Sequence, residues 1–111
     1  METLTIIVPC YNEEQTVQIF YDTVEKVVKE IPDISIEYLF VDDGSKDHTL
    51  SELKKLHEKD KKVGYLSFSR NFGKEAAMYA GLSHAAGDYV VIMDTDLQDP
   101  PALLPEMCRC I

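Results

Sequence analysis

The sequence predicts an α/β fold, a parallel sheet with helices on both faces. Three observations lead there. Short apolar segments alternate with helical patterns in the order βαβαβαβα. The strand segments are apolar on both faces, as buried parallel strands are. Every strand segment is followed by a polar loop, the arrangement of open sheets that bind ligands beyond the carboxyl ends of their strands.

Leu4-Thr5-Ile6-Ile7-Val8 is β-branched and apolar and reads as the first strand, closed by Pro9. Val17, Phe20, Tyr21, Val24, Val27, Val28 and Ile31 recur on one helix face, and Pro32 is expected to stop that helix. Tyr38-Leu39-Phe40-Val41 is the second strand, ended by Asp42-Asp43-Gly44-Ser45. Leu50, Leu53 and Leu56 mark a second helix, with Asp47 as its expected N-cap. Val63 to Phe68 is the third strand. Residues 74–86 are rich in alanine and read as a closely packed helix ended by Gly87. Tyr89-Val90-Val91-Ile92-Met93 is the fourth strand. Asp99-Pro100-Pro101 is expected to cap a last helix, with Leu104, Met107, Cys108 and Ile111 as its apolar stripe. That stripe still runs at the final residue, so the chain is expected to be the N-terminal part of a longer protein.

Composition narrows the function. The chain has 111 residues, 45% of them hydrophobic and 28% charged, as in ordinary globular domains. Its formal net charge is −9; residues 1–50 carry 11 acidic and 3 basic side chains, against 9 and 8 in the remainder. Such a surface repels phosphate backbones, which argues against nucleic-acid binding. Three cysteines, Cys10, Cys108 and Cys110, form no disulfide framework and point to a reducing compartment. They and the scattered histidines (His48, His57, His84) make a poor zinc site. No apolar stretch approaches the ~20 residues that span a bilayer, so this segment is expected to be soluble. No basic leader opens it.

The loops after the strands carry the chemistry. Glu13, Glu14, Asp42, Asp43, Asp94, Asp96 and Asp99 would crowd one sheet edge and repel one another unless a cation or a donor-rich ligand sits among them. Asp94 and Asp96, with the amide oxygen of Gln98, are hard oxygen ligands suited to Mg²⁺ or Mn²⁺ beside a phosphate. Alone, such a pair can equally be a solvated, capped turn. The Asp42-Asp43 pair could accept hydrogen bonds from a base or from ribose hydroxyls, though aspartate, glycine and serine also build turns. Tyr11 could stack on a base or be an ordinary half-buried loop aromatic. Arg70 and Lys74 are the cations beside the acidic edge, placed to hold an anion or simply solvated. Lysines 54, 55, 59, 61 and 62 read as a solvated helix end.

Four ordered segments carry a resemblance: Pro9-x-Tyr11-Asn12-Glu13-Glu14, Val41-Asp42-Asp43-Gly44-Ser45, Ser69-Arg70-Asn71-Phe72-Gly73-Lys74 and Met93-Asp94-Thr95-Asp96-Leu97-Gln98-Asp99-Pro100-Pro101. Together they resemble the family 2 glycosyltransferases, in particular those that move a hexose from a nucleotide sugar onto polyprenyl (dolichyl or undecaprenyl) phosphate. The resemblance covers nearly the whole chain. It implies a Rossmann-like GT-A parallel sheet, here truncated after about four strands, with residues 1–111 the incomplete nucleotide-sugar-binding portion.

Position by position, the resemblance implies that Pro9, Tyr11 and Glu13 line the base and ribose pocket. Asp42 would face the base, with Asp43 and Gly44 shaping the same turn. Asp94, Asp96 and Gln98 would hold Mg²⁺ or Mn²⁺ against the diphosphate, with Asp94 and Asp96 the catalytic pair. Lys74, with Arg70, would meet the nucleotide's anionic part. The implied partners are a UDP- or GDP-hexose donor and a polyprenyl phosphate acceptor. The full protein would then sit at the cytoplasmic side of a membrane, held by parts outside this chain. Transfer would invert the anomeric carbon, and an anionic phosphate acceptor would need no general base where a hydroxyl would.

Two other enzymes share parts of this pattern. A haloacid-dehalogenase-like phosphotransferase places its Asp-x-Asp after the first strand, not the fourth, and a nucleotidyltransferase would carry a glycine-rich basic loop after the first strand. A non-catalytic nucleotide-binding module is the reading from a different class.

Overall fold

The computed structural model describes residues 2–29 and 34–93. Within them the order is β1 (Glu2–Cys10), α1 (Val17–Val28), β2 (Ile34–Asp42), α2 (Thr49–Lys59), β3 (Val63–Ser67), α3 (Lys74–His84) and β4 (Tyr89–Ile92). The expected fourth helix, Cys108 and Cys110, and the metal segment Asp94–Asp99 lie outside the described residues, as do Ile31 and Pro32.

All strands pair in parallel, in the order β3-β2-β1-β4. The chain steps from β1 to β2 to β3 in one direction, then crosses back past both to place β4 beside β1. Right-handed crossovers therefore put α1 and α2 on one face and α3 on the other. The core has that form. Leu4, Ile6, Val8 and Cys10 of β1 pack with Val17, Phe20, Tyr21 and Val24 of α1 and Leu53 and Leu56 of α2. On the opposite face Ile7 and Val41 pack with Ala77 of α3. Side chains of opposite strand parity thus both meet apolar partners, which is why β1 lacks polar alternation.

Aromatic rings fill the thicker face. Phe20 meets Phe40 edge-on at 6.1 Å, and Tyr21 lies 5.3 Å from Tyr38 between centroids. The thinner face uses small residues instead. A Cβ on Gly81 would lie 2.5 Å from Ile7 Cγ2, so α3 approaches β1 as closely as it does only because its inner residues are Ala77 and Gly81. The expectation of a closely packed alanine-rich helix is met.

Several boundaries differ from expectation. Pro9 does not close the first strand, which runs on through Cys10. Met93 N–H donates to Ile7 O on the β4 side and Asp43 N–H to Cys10 O on the β2 side. Pro9, two residues beyond Ile7, thus turns its donor-less nitrogen toward β4 past the last pair, Ile7↔Ile92, where no ladder bond is lost. The second strand starts four residues earlier than expected, at Ile34, since pairing with β1 from Glu2 onward extends it. The third helix ends at His84, not at Gly87, with Ala85 in extended conformation. Gly87 serves closeness instead: its N–H donates to Thr5 Oγ1 at 3.0 Å, and a Cβ there would sit 2.5 Å from that oxygen. The N-cap of α2 is His48, not Asp47, and its side chain makes no capping bond. Asp47 nonetheless accepts the Thr49 N–H at 2.9 Å from one position further out.

Candidate functional site

The step in strand order lies at β1, whose neighbours β2 and β4 come from opposite directions of the chain path. Its carboxyl end is where such sheets leave a crevice. Cys10, Asp42 and Ser67 stand level there through the registers Cys10↔Asp42 and Asp42↔Ser67. Above them the loops are sewn together.

The first seam joins the β1–α1 and β2–α2 loops. Asn12 takes a left-handed backbone (φ 52), which turns the chain sharply after Tyr11. Its N–H donates to Ser45 Oγ at 2.9 Å, and its Oδ1 accepts the Lys46 N–H at 2.8 Å. Glu13 N–H donates to Thr49 Oγ1 at 2.8 Å and Glu14 N–H to Asp47 Oδ2 at 3.3 Å. On the surface His48 Nδ1 lies 3.0 Å from Glu14 Oε2. Three successive N–H groups that no ladder could pair thereby find acceptors.

The second seam joins the β2–α2 and β3–α3 loops. Asp43 is 4% exposed, and its two carboxylate oxygens accept the N–H groups of Phe72 (2.8 Å) and Gly73 (3.0 Å) at the start of α3. A negative group suits a helix N-terminus, where backbone donors are otherwise unpaired. Asp42, 2% exposed, accepts the Ser45 N–H on Oδ1 at 3.0 Å, while its carbonyl accepts the Phe68 N–H at 2.9 Å. Gly44 has φ 71 and lies against the backbone of Arg70 and Asn71.

These seams set where each expected site residue stands. Pro9 is buried at the end of β1. Tyr11 follows it, 39% exposed at the loop tip. Glu13 is half-buried; its carbonyl accepts the Thr16 N–H at 3.0 Å and its carboxylate the Thr16 hydroxyl at 3.4 Å. Asp42 and Asp43 are adjacent and buried, with Gly44 beside them. Lys74 opens α3, exposed, one residue beyond Gly73. Pro9, Tyr11, Glu13, Asp42, Asp43 and Gly44 are thus brought to one edge. Lys74 joins them through the Asp43 clamp. Asp94, Asp96 and Gln98 lie outside the described residues. Met93 is buried, its N–H on Ile7 O at 3.0 Å, so the chain leaves β4 at the same sheet edge just before Asp94.

The sequence reading put Asn12 and Ser45 in the loops of this edge but gave them no role, and it did not single out Thr49. The signal was present: Ser45, Asp47 and Thr49 put short oxygen side chains at every second position before a helix, a spacing that serves neighbouring backbone donors. It likewise gave no role to Phe72, which is 52% exposed, carries the Arg70 guanidinium 4.6 Å above its ring and meets Phe68 edge-on. A shallow depression of about 400 Å³ lies between Asn12, Glu13, Glu14, Gln15, Thr16 and Asp47. Three carboxylates on its wall make it a poor seat for a diphosphate. Among the described residues no group of His, Cys, Asp and Glu could hold a metal ion.

The sequence profile of glycosyl transferase family 2 matches residues 5–110. The prophage bactoprenol glucosyl transferase homolog of Escherichia coli (strain K12) is 45% identical over 104 residues, which are 94% of this chain and 34% of that protein. Among solved structures, the mannosyltransferase PcManGT from Pyrobaculum calidifontis, in complex with GDP-Man and Mn²⁺, superposes with a TM-score of 0.77 at 28% identity, over 96% of this chain and 31% of its own. Glucosyl-3-phosphoglycerate synthase from Mycobacterium tuberculosis, in complex with Mn²⁺, UDP and phosphoglyceric acid, gives 0.69 at 27% identity, over 94% and 37%. The chain spans about a third of the length of the curated relatives it matches. With the GT-A sheet order in place and the profile matched almost from end to end, the chain belongs to glycosyl transferase family 2.

Proposed function

We propose that residues 1–111 form the nucleotide-sugar-binding portion of a GT-A glycosyltransferase that moves a hexose from a UDP- or GDP-linked donor to polyprenyl phosphate, with inversion. The observation that carries this reading is the sewn carboxyl edge: Asn12, Ser45, Asp47 and Thr49 join the loops after β1 and β2, and the buried Asp43 joins those after β2 and β3, in one surface beside the β1/β4 step. The bactoprenol glucosyl transferase homolog supports the lipid phosphate acceptor, and the two solved relatives support either nucleotide.

In this reading the Tyr11 ring stacks on the base, Glu13 meets the ribose, and Pro9 closes the pocket floor. Asp42 faces the base, while Asp43 and Gly44 shape the wall and Lys74 meets the anionic part of the donor. Asp94, Asp96 and Gln98, which follow β4 in the sequence, offer hard oxygens that fit Mg²⁺ or Mn²⁺. When bound, the ion supplies charge neutralisation to the departing diphosphate. The bond between the anomeric carbon and the diphosphate oxygen breaks as an acceptor phosphate oxygen bonds from the opposite face. That oxygen is already anionic near pH 7, so no residue need remove a proton. No helix among the described residues is long and apolar enough to cross a membrane; the bactoprenol glucosyl transferase homolog supports attachment of the whole protein at the cytoplasmic side of a membrane.

Calorimetry with UDP and GDP, each with and without Mn²⁺, tests the reading. One nucleotide should bind with Mn²⁺ and lose its affinity without it. Asp96→Asn should abolish the metal-dependent part while the circular dichroism spectrum stays unchanged. Binding of neither nucleotide, or full affinity in Asp96→Asn, overturns it.

A further inference from the structure

We propose that Asp47 and Thr49 are positioning residues for the donor: through a hydroxyl of fixed polarity they hold the backbone of Glu13 and Glu14, and with it the loop that presents Tyr11. This rests on the donor-binding reading above.

Thr49 is fully buried at the first turn of α2. Its hydroxyl donates to Asp47 Oδ1 at 2.5 Å, while Thr49 Oγ1 itself accepts the Glu13 N–H at 2.8 Å. A hydroxyl has one hydrogen and can point it in only one direction at a time. An ionised Asp47 can only accept, so it draws that hydrogen toward itself and leaves the lone pairs of Thr49 for Glu13. Burial would raise the Asp47 carboxyl, but hydrogen bonds from the Thr49 hydroxyl, the Thr49 N–H and the Glu14 N–H outweigh it and keep it below the ordinary carboxylate range. Its second oxygen meanwhile accepts the Glu14 N–H at 3.3 Å.

One carboxylate thus closes two arms on consecutive residues of the β1–α1 loop. Neither side chain is placed to touch the donor itself: Thr49 is enclosed, and both Asp47 oxygens are engaged with the chain. Tyr11 and Glu13 carry the contacts, and their placement depends on where residues 12–14 are held. The left-handed turn at Asn12 makes that loop an expensive conformation to hold by itself, which is why an external brace matters.

Thr49→Val keeps the shape and deletes the hydroxyl, while Thr49→Ser keeps the hydroxyl and deletes a methyl. Nucleotide affinity measured by calorimetry with Mn²⁺ should fall about tenfold in Thr49→Val and return to near wild type in Thr49→Ser. Amide exchange should accelerate at Glu13 and Glu14 in Thr49→Val and stay unchanged at Ala77 on α3. If Thr49→Val does not fold, Asp47→Asn carries the test, because its amide turns a donor toward either Thr49 or Glu14 and leaves the Thr49 N–H or the Glu14 N–H without its acceptor, so the fixed polarity of the brace is lost. Unchanged affinity in the folded variant, or failure of Thr49→Ser to restore it, overturns the positioning role alone. Wild-type protein that binds neither UDP nor GDP overturns the donor reading, and the positioning role with it.

Discussion

A methyl group on Gly44 would place its carbon 2.1 Å from the carbonyl carbon of Arg70 and 2.4 Å from the nitrogen of Asn71. The turn after β2 and the loop after β3 therefore touch backbone to backbone, and no flexible side chain can move aside.

Gly44→Ala combines that collision with a backbone at φ 71, which L residues adopt at a cost. Stability should fall by about 2–4 kcal/mol from the two effects together. Chemical denaturation monitored by circular dichroism reads it. A loss below about 0.5 kcal/mol would show that the two loops do not pack as described.

Asp43→Asn leaves one carbonyl oxygen and one NH₂ where two N–H groups, of Phe72 and Gly73, need acceptors. One buried donor loses its partner, at about 1–3 kcal/mol. Amide exchange at Phe72 and Gly73 should rise well before that of the β1 core. If both amides stay as protected as in the wild type, the clamp is not what holds the start of α3.

The Tyr38 hydroxyl is buried, with the Glu25 carboxylate near it but not in hydrogen-bonding geometry. Burial, with the Glu25 carboxylate near it, pushes its pKa well above the ordinary tyrosine value. Tyr38→Phe removes the unpaired group and keeps the ring stacked on Phe40. The variant should be as stable as the wild type or more so, by about 1 kcal/mol, in thermal and urea unfolding. A loss of more than about 1 kcal/mol would reveal a bond to that hydroxyl.

Acid stability should depend on Asp47 and Asp60. Burial acts to raise the Asp60 carboxyl, but the Tyr21 hydroxyl, the Lys62 N–H and the Lys62 ammonium outweigh it and hold it low, as the Thr49 and Glu14 bonds do for Asp47. A carboxylate whose folded pKa lies below its unfolded one stabilises the fold above the unfolded value, 3.8, and loses that contribution as pH falls through the folded one. Melting temperature should therefore drop on acidification below about pH 4, and less steeply in Asp60→Asn. Tyr21 gives the opposite limb. Burial first, and then its bond to Asp60, raise its hydroxyl, so its contribution is present below about pH 10 and is lost as pH rises beyond it. In Tyr21→Phe that alkaline limb should flatten.

Alternation of apolar strands with amphipathic helices was enough to read the sheet class. A parallel strand buried on both faces must be apolar at consecutive positions, and β1 is so at Ile6, Ile7 and Val8. The polar loops after β1, β2 and β3 likewise marked the edge where Pro9, Tyr11, Glu13, Asp42 and Asp43 gather, because crossover connections bring the carboxyl ends of parallel strands together. Local pattern set less firmly where elements stop. Pro9 reads as a strand end, yet the chain continues to Cys10 because β4 has already finished beside it. Gly87 reads as a helix end, yet it is there for the closeness of Thr5.

The bonds that make the edge a single surface were beyond the linear chain. Asn12 meets Ser45 and Lys46 across 33 and 34 positions, and Asp43 meets Phe72 and Gly73 across 29 and 30. No periodicity encodes such pairs. They arise because β1, β2 and β3 lie side by side, and the carboxyl-end backbone donors left over by the ladder must find acceptors in the neighbouring loop. Residue type alone made Asp42 and Asp43 equal candidates for a ligand. Packing separated them, giving Asp43 the start of α3 to hold and Asp42 the turn at Ser45.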